Sequence, residues 1–386
     1  MSRVAAGPCA SDVPVGSRGF PLSLRERAGV RGKGTLVASR SEPSAGTVKL
    51  GESPGKARGF SDRMKPLTFL LALSTLIVAP RVHAQGSAAK PEIWMMPPSQ
   101  DNGRAFRELF QQPDAWKETR SLIHVLGCSD LNTKRQFTDD ELKAWFARMN
   151  EWGLKFAMEV GAIKPWGLTG EKTFAAEKPL WERVERLGGR IYAIAMDEPL
   201  LCCREHIHKP DDYAVQETAS YIALVRKHYP QILVGDIETY PSIPVADHIW
   251  WIEALNKRLA ELGVRGLDFY RLDVNWANFI VQNHGSWPEV KKLERYCRSR
   301  KLPFSMIYWA SGQPLLKQMA LADESTWYVS IIHQGHAYAM AEGTPDQYVI
   351  ESWIDAPPRC LPEADEWTFT RSVRDFVRTF AKPGLR

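Results

Sequence analysis

From Pro91 onward the chain alternates short apolar runs with longer segments whose apolar positions recur every three or four residues. The runs are "PEIWMMPP" from Pro91, "SLIHVLGC" from Ser121, "LKFAMEVG" from Leu154 and "IYAIAMDEP" from Ile191. They continue with "QILVGDIETYP" from Gln231, "GLDFYRLDVNW" from Gly266, "PFSMIYWA" from Pro303 and "YVIESW" from Tyr348. Near-continuous apolarity is the mark of strands buried on both faces, as in parallel sheets. Their starts lie 30 to 45 residues apart, room for a loop, a helix and a return.

The intervening segments carry helix signals. In "FTDDELKAWFARMNEWG", Thr138 followed three residues later by Glu141 has capping-box spacing, and Gly153 is a stop. Leu142, Trp145, Phe146 and Met149 form one apolar face. "PDDYAVQETASYIALVRKHYP" offers Asp211 or Asp212 as a cap and Pro230 as terminator, and "ADHIWWIEALNKRLAELG" lines up Ile249, Ile252, Leu255, Leu259 and Leu262. Asp323 to Gly343 supplies a seventh helix and "WTFTRSVRDFVRTF" an eighth. Eight strand-then-helix units predict an α/β fold, a single (β/α)8 TIM barrel over residues 85–386. A doubly wound sheet would call for a glycine-rich phosphate turn after an early strand, and "MMPPSQDNG" and "LGCSDLN" contain none.

The segment before the barrel has a different composition. "MKPLTFLLALSTLIVAPRVHAQG" begins at Met64 with a lysine, a short apolar run and the small-residue pattern Val82-His83-Ala84. This predicts a signal peptide over 64–84, with a run too short for a membrane span, which takes about 20 residues. Residues 1–63, rich in Gly, Ser, Pro and Arg without a periodic apolar face, are expected to be a disordered or mis-called extension. A secreted or periplasmic location follows. Residues 1–84 hold 13 of the 50 basic groups and 5 of the 45 acidic ones. The net positive charge therefore belongs to the leader, and no nucleic-acid partner is expected. Beyond the leader stand Cys128, Cys202, Cys203, Cys297 and Cys360. In an oxidising compartment one or two disulfides are expected, with at least one thiol left over. Oligomeric state is not legible.

Function in such a barrel sits at the C-terminal ends of the strands. Carboxylates collect there: Glu159 on the third strand, Asp197 and Glu198 on the fourth, and Asp236 and Glu238 on the fifth. Asp273 follows on the sixth and Glu351 on the eighth. Acids are depleted from strands, so a ring of them is hard to justify as packing, although any one of them could be an ion-pair partner of Arg271 or Lys164. Trp94, Trp166, Tyr240, Trp276, Tyr308, Trp309 and Trp353 fall at or beyond strand ends. Some are core; as a group they offer apolar platforms for sugar rings. The pattern points to a carbohydrate substrate.

The barrel, the export signal and "MDEP" closing the fourth strand resemble the (β/α)8 glycoside hydrolases. The nearest motif is the Asn-Glu-Pro of their large retaining clan. That resemblance implies that Glu198 is the acid/base, with Asp197 standing where the clan has Asn. The clan places its nucleophile on the seventh strand, and "SMIYWASG" has no carboxylate there. Similarity to α-galactosidases would instead pair Asp197 with Asp273, and similarity to α-amylases Asp197 with Glu238. Glycoside hydrolysis needs one carboxyl protonated and another ionised. Glu198 is thus the expected acid, with Glu238 and Asp273 as competing partners and Asp197 beside it at the centre of the site. A non-catalytic carbohydrate-binding barrel is the alternative. "CCREHIH" from Cys202 matches no standard zinc spacing, and neither "YWASG" nor "ESWID" supplies a phosphate cradle. No metal or cofactor is expected.

Overall fold

The computed structural model describes residues 90–276, 279, 285–310 and 323–381. The signal peptide and the extension predicted before it lie outside the described residues. Eight strands form a closed, all-parallel barrel in sequence order. They are β1 (Glu92–Met96), β2 (Val125–Ser129), β3 (Lys155–Val160) and β4 (Ile191–Asp197), then β5 (Leu233–Tyr240), β6 (Phe269–Val274), β7 (Phe304–Tyr308) and β8 (Gln347–Glu351). β1 and β8 close the ring with five residue pairs in register, from Glu92–Gln347 to Met96–Glu351.

The helices are α1 (Arg104–Gln111), α2 (Lys117–Leu122), α3 (Asp130–Arg135), α4 (Asp139–Trp152), α5 (Gly170–Arg186), α6 (Pro199–Glu205), α7 (Asp211–His228) and α8 (Val245–Glu261). Then follow α9 (Trp287–Ser299), α10 (Glu324–Met340) and α11 (Phe369–Phe380). The capping box of α4 is present: the Thr138 N–H donates to Glu141 Oε2 at 2.8 Å, and Thr138 Oγ1 accepts from the Glu141 N–H at 3.2 Å. At α7 the cap expected from Asp211 or Asp212 is replaced by Pro210, and both acids fall in the first turn. There they still favour the positive end of the helix dipole. None of the described cysteines is paired. All five are buried thiols, so the expected disulfides do not form among them.

Two apolar layers share the strands. Ile194, Met196, Val234, Tyr270, Leu272, Met306 and Ile350 pack outward against the helices. Trp94, Met96, Val125, Ala157, Ala193, Ala195, Ile237, Phe269, Ile307 and Val349 fill the lumen. Because strand side chains alternate between faces, this parity decides which strand-borne acids can meet at the mouth.

Candidate active site

Four acids share the inward parity. Glu159 stands two residues beyond Ala157, Asp197 two beyond Ala195, Asp273 four beyond Phe269 and Glu351 two beyond Val349. All lie at the C-terminal ends of their strands, where catalytic groups of this architecture are carried. Trp309 and Trp353, in the same inner cluster, meet edge to face with centroids 4.3 Å apart. Each indole N–H is aimed at an acid: Trp309 Nε1 donates to Asp273 Oδ1 at 2.7 Å and Trp353 Nε1 to Glu159 Oε1 at 3.4 Å. Asp273, Trp309, Trp353 and Glu159 thus form a chain across the mouth.

Beneath it lies Arg271, fully buried in the lumen. Its guanidinium stacks 4.2 Å from the Trp94 ring centroid and donates from Nε to Ser305 Oγ at 3.0 Å. Burial pulls its pKa down to about 10, against the opposing pull of Glu351 and then Glu159. It is the counter-charge for the acids above it.

The fourth strand supplies the most accessible acid. The Asp197 side chain keeps 23% exposure. Lys164, on the loop after β3, donates from Nζ to Asp197 Oδ2 at 2.6 Å and also to the Asp197 carbonyl. Glu198 follows with φ 51° and ψ 52°, the left-handed region. That conformation costs a non-glycine residue about 1–2 kcal/mol. It is held by hydrogen bonds from its own N–H to the Ile237 carbonyl at 3.0 Å and from the Cys202 N–H to its carbonyl at 2.8 Å. Pro199 then starts α6 at a position where its missing N–H costs nothing. Strain of this kind gathers at functional sites.

The remaining sequence candidates have other surroundings. Asp236 and Glu238 carry the outward parity of β5. Asp236 Oδ2 accepts from Trp251 Nε1 in α8 at 2.7 Å. Glu238 accepts the first free N–H groups of α6, from Leu200 at 2.6 Å and Leu201 at 3.2 Å. Burial raises the pKa of both well above the usual carboxylate range. They face the helix layer rather than the lumen. The sequence expectation that set them at the mouth is corrected by one residue of parity.

Several aromatics also lie apart. Trp94 is a mid-strand filler of the lumen. Tyr308 packs outward on Phe376 at 4.5 Å. Tyr240 donates outward to the Ser286 carbonyl at 3.4 Å, and Trp276 joins Phe279 and Trp287 in an aromatic cluster. Trp166 is the open ring, 55% exposed on the loop after β3. That loop is tightly built. Lys164 and Gly167 exchange backbone hydrogen bonds of 3.2 and 2.8 Å, Thr173 Oγ1 donates to the Gly167 carbonyl at 2.8 Å, and Glu177 Oε1 accepts from the Gly161 N–H at 2.8 Å. A Cβ on Gly161 would lie 2.9 Å from the Trp166 ring, which places the indole directly over the end of β3.

From the sequence, Lys164 and Arg271 read only as possible ion-pair partners, and no motif singles out Asp130 or Glu177. The sequence signal for Lys164 is a lysine between apolar neighbours, "AIKPWG", just past a strand end.

No protein-family model matches the chain, and no curated protein matches its sequence. Solved structures with similar folds include a xylanase from Paenibacillus barcinonensis, 11% identical, covering 69% of this chain and 84% of that one, with a TM-score of 0.38. A xylanase from Cellvibrio japonicus is 10% identical over 76% of this chain and 66% of that one, with a TM-score of 0.41. An aldolase from Escherichia coli is 12% identical over 76% of this chain and 93% of that one, with a TM-score of 0.39. Likeness at this level concerns the barrel alone.

Proposed function

We propose that the protein is an exported glycoside hydrolase acting on a polysaccharide or glycoconjugate. The observation that carries this reading is the shared inward parity of Glu159, Asp197, Asp273 and Glu351 at the C-terminal strand ends, with the Trp309–Trp353 pair bonded to Asp273 and Glu159. Buried acids are costly unless they are paired or used, and paired tryptophans beside them provide apolar faces for sugar C–H groups. In this reading Glu198, buried just past the end of β4 and taken out of the strand alternation by its left-handed backbone, gives its proton to the glycosidic oxygen as the bond from the anomeric carbon breaks, and the electron pair leaves with that oxygen. Asp197 supplies the ionised carboxylate, either attacking the anomeric carbon or taking a proton from the attacking water. The products are two sugar hydroxyls, with one water consumed. Asp273 and Glu159, oriented by the indole N–H groups, hold sugar hydroxyls, and Trp166 extends the platform at the rim.

The second reading is a carbohydrate-binding barrel without turnover. It is favoured by Glu238, an acid on the strand next to β4 that is engaged with the N-terminus of α6. The two part on Glu198→Gln tested against a panel of polysaccharides. A hydrolase loses reducing-end release while still retaining the glycan in affinity electrophoresis. If wild type and variant retain a glycan equally and neither releases reducing ends, binding without catalysis is the correct reading.

A further inference from the structure

The loop between β3 and α5 places one cation against the most exposed acid of the mouth. Lys164 is 4% exposed, and its ammonium touches both the carboxylate and the carbonyl of Asp197. The backbone exchange with Gly167 fixes where the lysine starts, and the Glu177 contact at Gly161 fixes where the loop leaves β3. An adventitious surface pair would have none of these anchors. Gly167 is part of the device, since a Cβ there would lie 2.3 Å from Thr173 Oγ1.

We propose, resting on the hydrolase reading, that Lys164 is the positioning residue of this site: it clamps Asp197 in one orientation and as an anion, and so assigns Asp197 the ionised role and leaves proton donation to Glu198. A buried ammonium needs a partner, and a carboxylate facing a cation a few ångströms away is favoured in its charged form.

The charged and titratable groups around the pair come from every packed element. Asp130 reaches it from α3, Glu177 from α5 with the Tyr221 hydroxyl of α7 on its Oε2, and Glu198 and Cys202 from the start of α6. Burial by itself would lower the Lys164 pKa; Asp197 first, then Cys202 and Glu198, more than offset it, and the net shift is upward. Asp130 is raised to about 6 and Glu177 to about 8, chiefly by burial. Lys164 therefore stays charged, and the carboxylate in direct contact with its ammonium is that of Asp197, at 2.6 Å.

The test reads Asp197 directly. Carboxyl carbon resonances are followed against pH in the wild type, in Lys164→Met and in Lys164→Arg, with Asp197 assigned by its absence in Asp197→Asn. Asp197 is expected to titrate at lower pH in the wild type and Lys164→Arg than in Lys164→Met. Equal titration in all three overturns the proposal. If Lys164→Met does not fold, Lys164→Gln, which keeps a donor without the charge, takes its place with the same two outcomes. Where a glycan is turned over, Lys164→Met loses the orientation of Asp197 at every pH and its charge at low pH, so the fall in kcat/KM should be at least about threefold larger at pH 5 than at pH 8. An equal loss at both pH values contradicts the assignment. A wild type that hydrolyses no glycan removes the hydrolase reading, while the titration still decides whether Lys164 holds Asp197 as an anion.

Discussion

The C-terminal ends of β4 and β5 are neighbouring strand ends with the same kind of sequence, "AMDEP" and "GDIETYP", and the barrel uses their acids for opposite purposes. Asp197 faces the lumen, keeps part of its surface open and is held by a lysine. Glu238, from the adjacent strand, faces the helix layer, is sealed from solvent and satisfies the N-terminus of α6. In the proposed hydrolase the first acid is placed for chemistry, and the second supports α6, the helix that follows β4. The difference is one step of strand parity. A carboxylate within a barrel strand is therefore a catalytic candidate only after its direction is known.

The comparison can be broken at either end. The largest effect is expected from Asp197→Asn. If it is the ionised partner, turnover per folded molecule falls at least about a thousandfold, about 4 kcal/mol in the barrier, and stability falls as well, because the buried Lys164 ammonium loses its charged partner. Unchanged turnover per folded molecule would make Asp197 structural like Glu238.

Glu238→Ala should behave the other way. It leaves two buried N–H groups of α6 without their acceptor, which costs about 3 kcal/mol of stability by denaturant unfolding. Turnover per folded molecule should stay within about tenfold of wild type, as expected of an outward residue.

The region behind β5 and β6 also carries a pH signature. His248 is fully buried, with Nδ1 2.6 Å from the Tyr270 hydroxyl and Nε2 3.1 Å from the Ile243 carbonyl. Burial pulls its pKa down to about 4 from 6.5. The unfolded chain therefore takes up a proton between those values while the folded protein does not, so His248 contributes stability that is lost as pH falls through that window. The stability difference between wild type and His248→Gln should shrink by about 3 kcal/mol from pH 7 to pH 4. A difference independent of pH would mean that the imidazole titrates normally in the fold.

The smallest effect belongs to Trp166. Its ring is open to solvent, so Trp166→Ala should leave the melting temperature within about 1 °C of wild type. Glycan affinity should weaken about fivefold, the worth of one stacking face. Unchanged affinity would confine the binding surface to Trp309 and Trp353.

The barrel was legible in the sequence because fully buried strands must be apolar on both faces, and helices must start and stop with the chemistry seen at Thr138, Glu141 and Gly153. The same property concealed the direction of the acids. A strand apolar on both faces gives no hydrophobic side from which to count, so "ILVGDIETY" shows that Asp236 and Glu238 share a face without showing which. Gly235 carries the missing clue: a Cβ there would lie 1.9 Å from the Phe269 ring, so the glycine is on the crowded inner face and both acids are on the outer one. That clue depends on a neighbour 34 residues away and becomes visible only in three dimensions. Lys164 escaped weight for a related reason. Its role depends on the loop after β3 reaching the end of the neighbouring strand β4, 33 residues on, which no local spacing encodes.

The account rests on the separation between an acid for chemistry and an acid for support, and parallel kinetics of Asp197→Asn and Glu238→Gln test it most directly. Both are assayed on a glycan that the wild type cleaves, at equal concentrations of folded protein. Asp197→Asn should be inactive per folded molecule, whereas Glu238→Gln should keep its activity and lose only stability. An active Asp197→Asn, or a Glu238→Gln that is stable yet dead, would contradict the account.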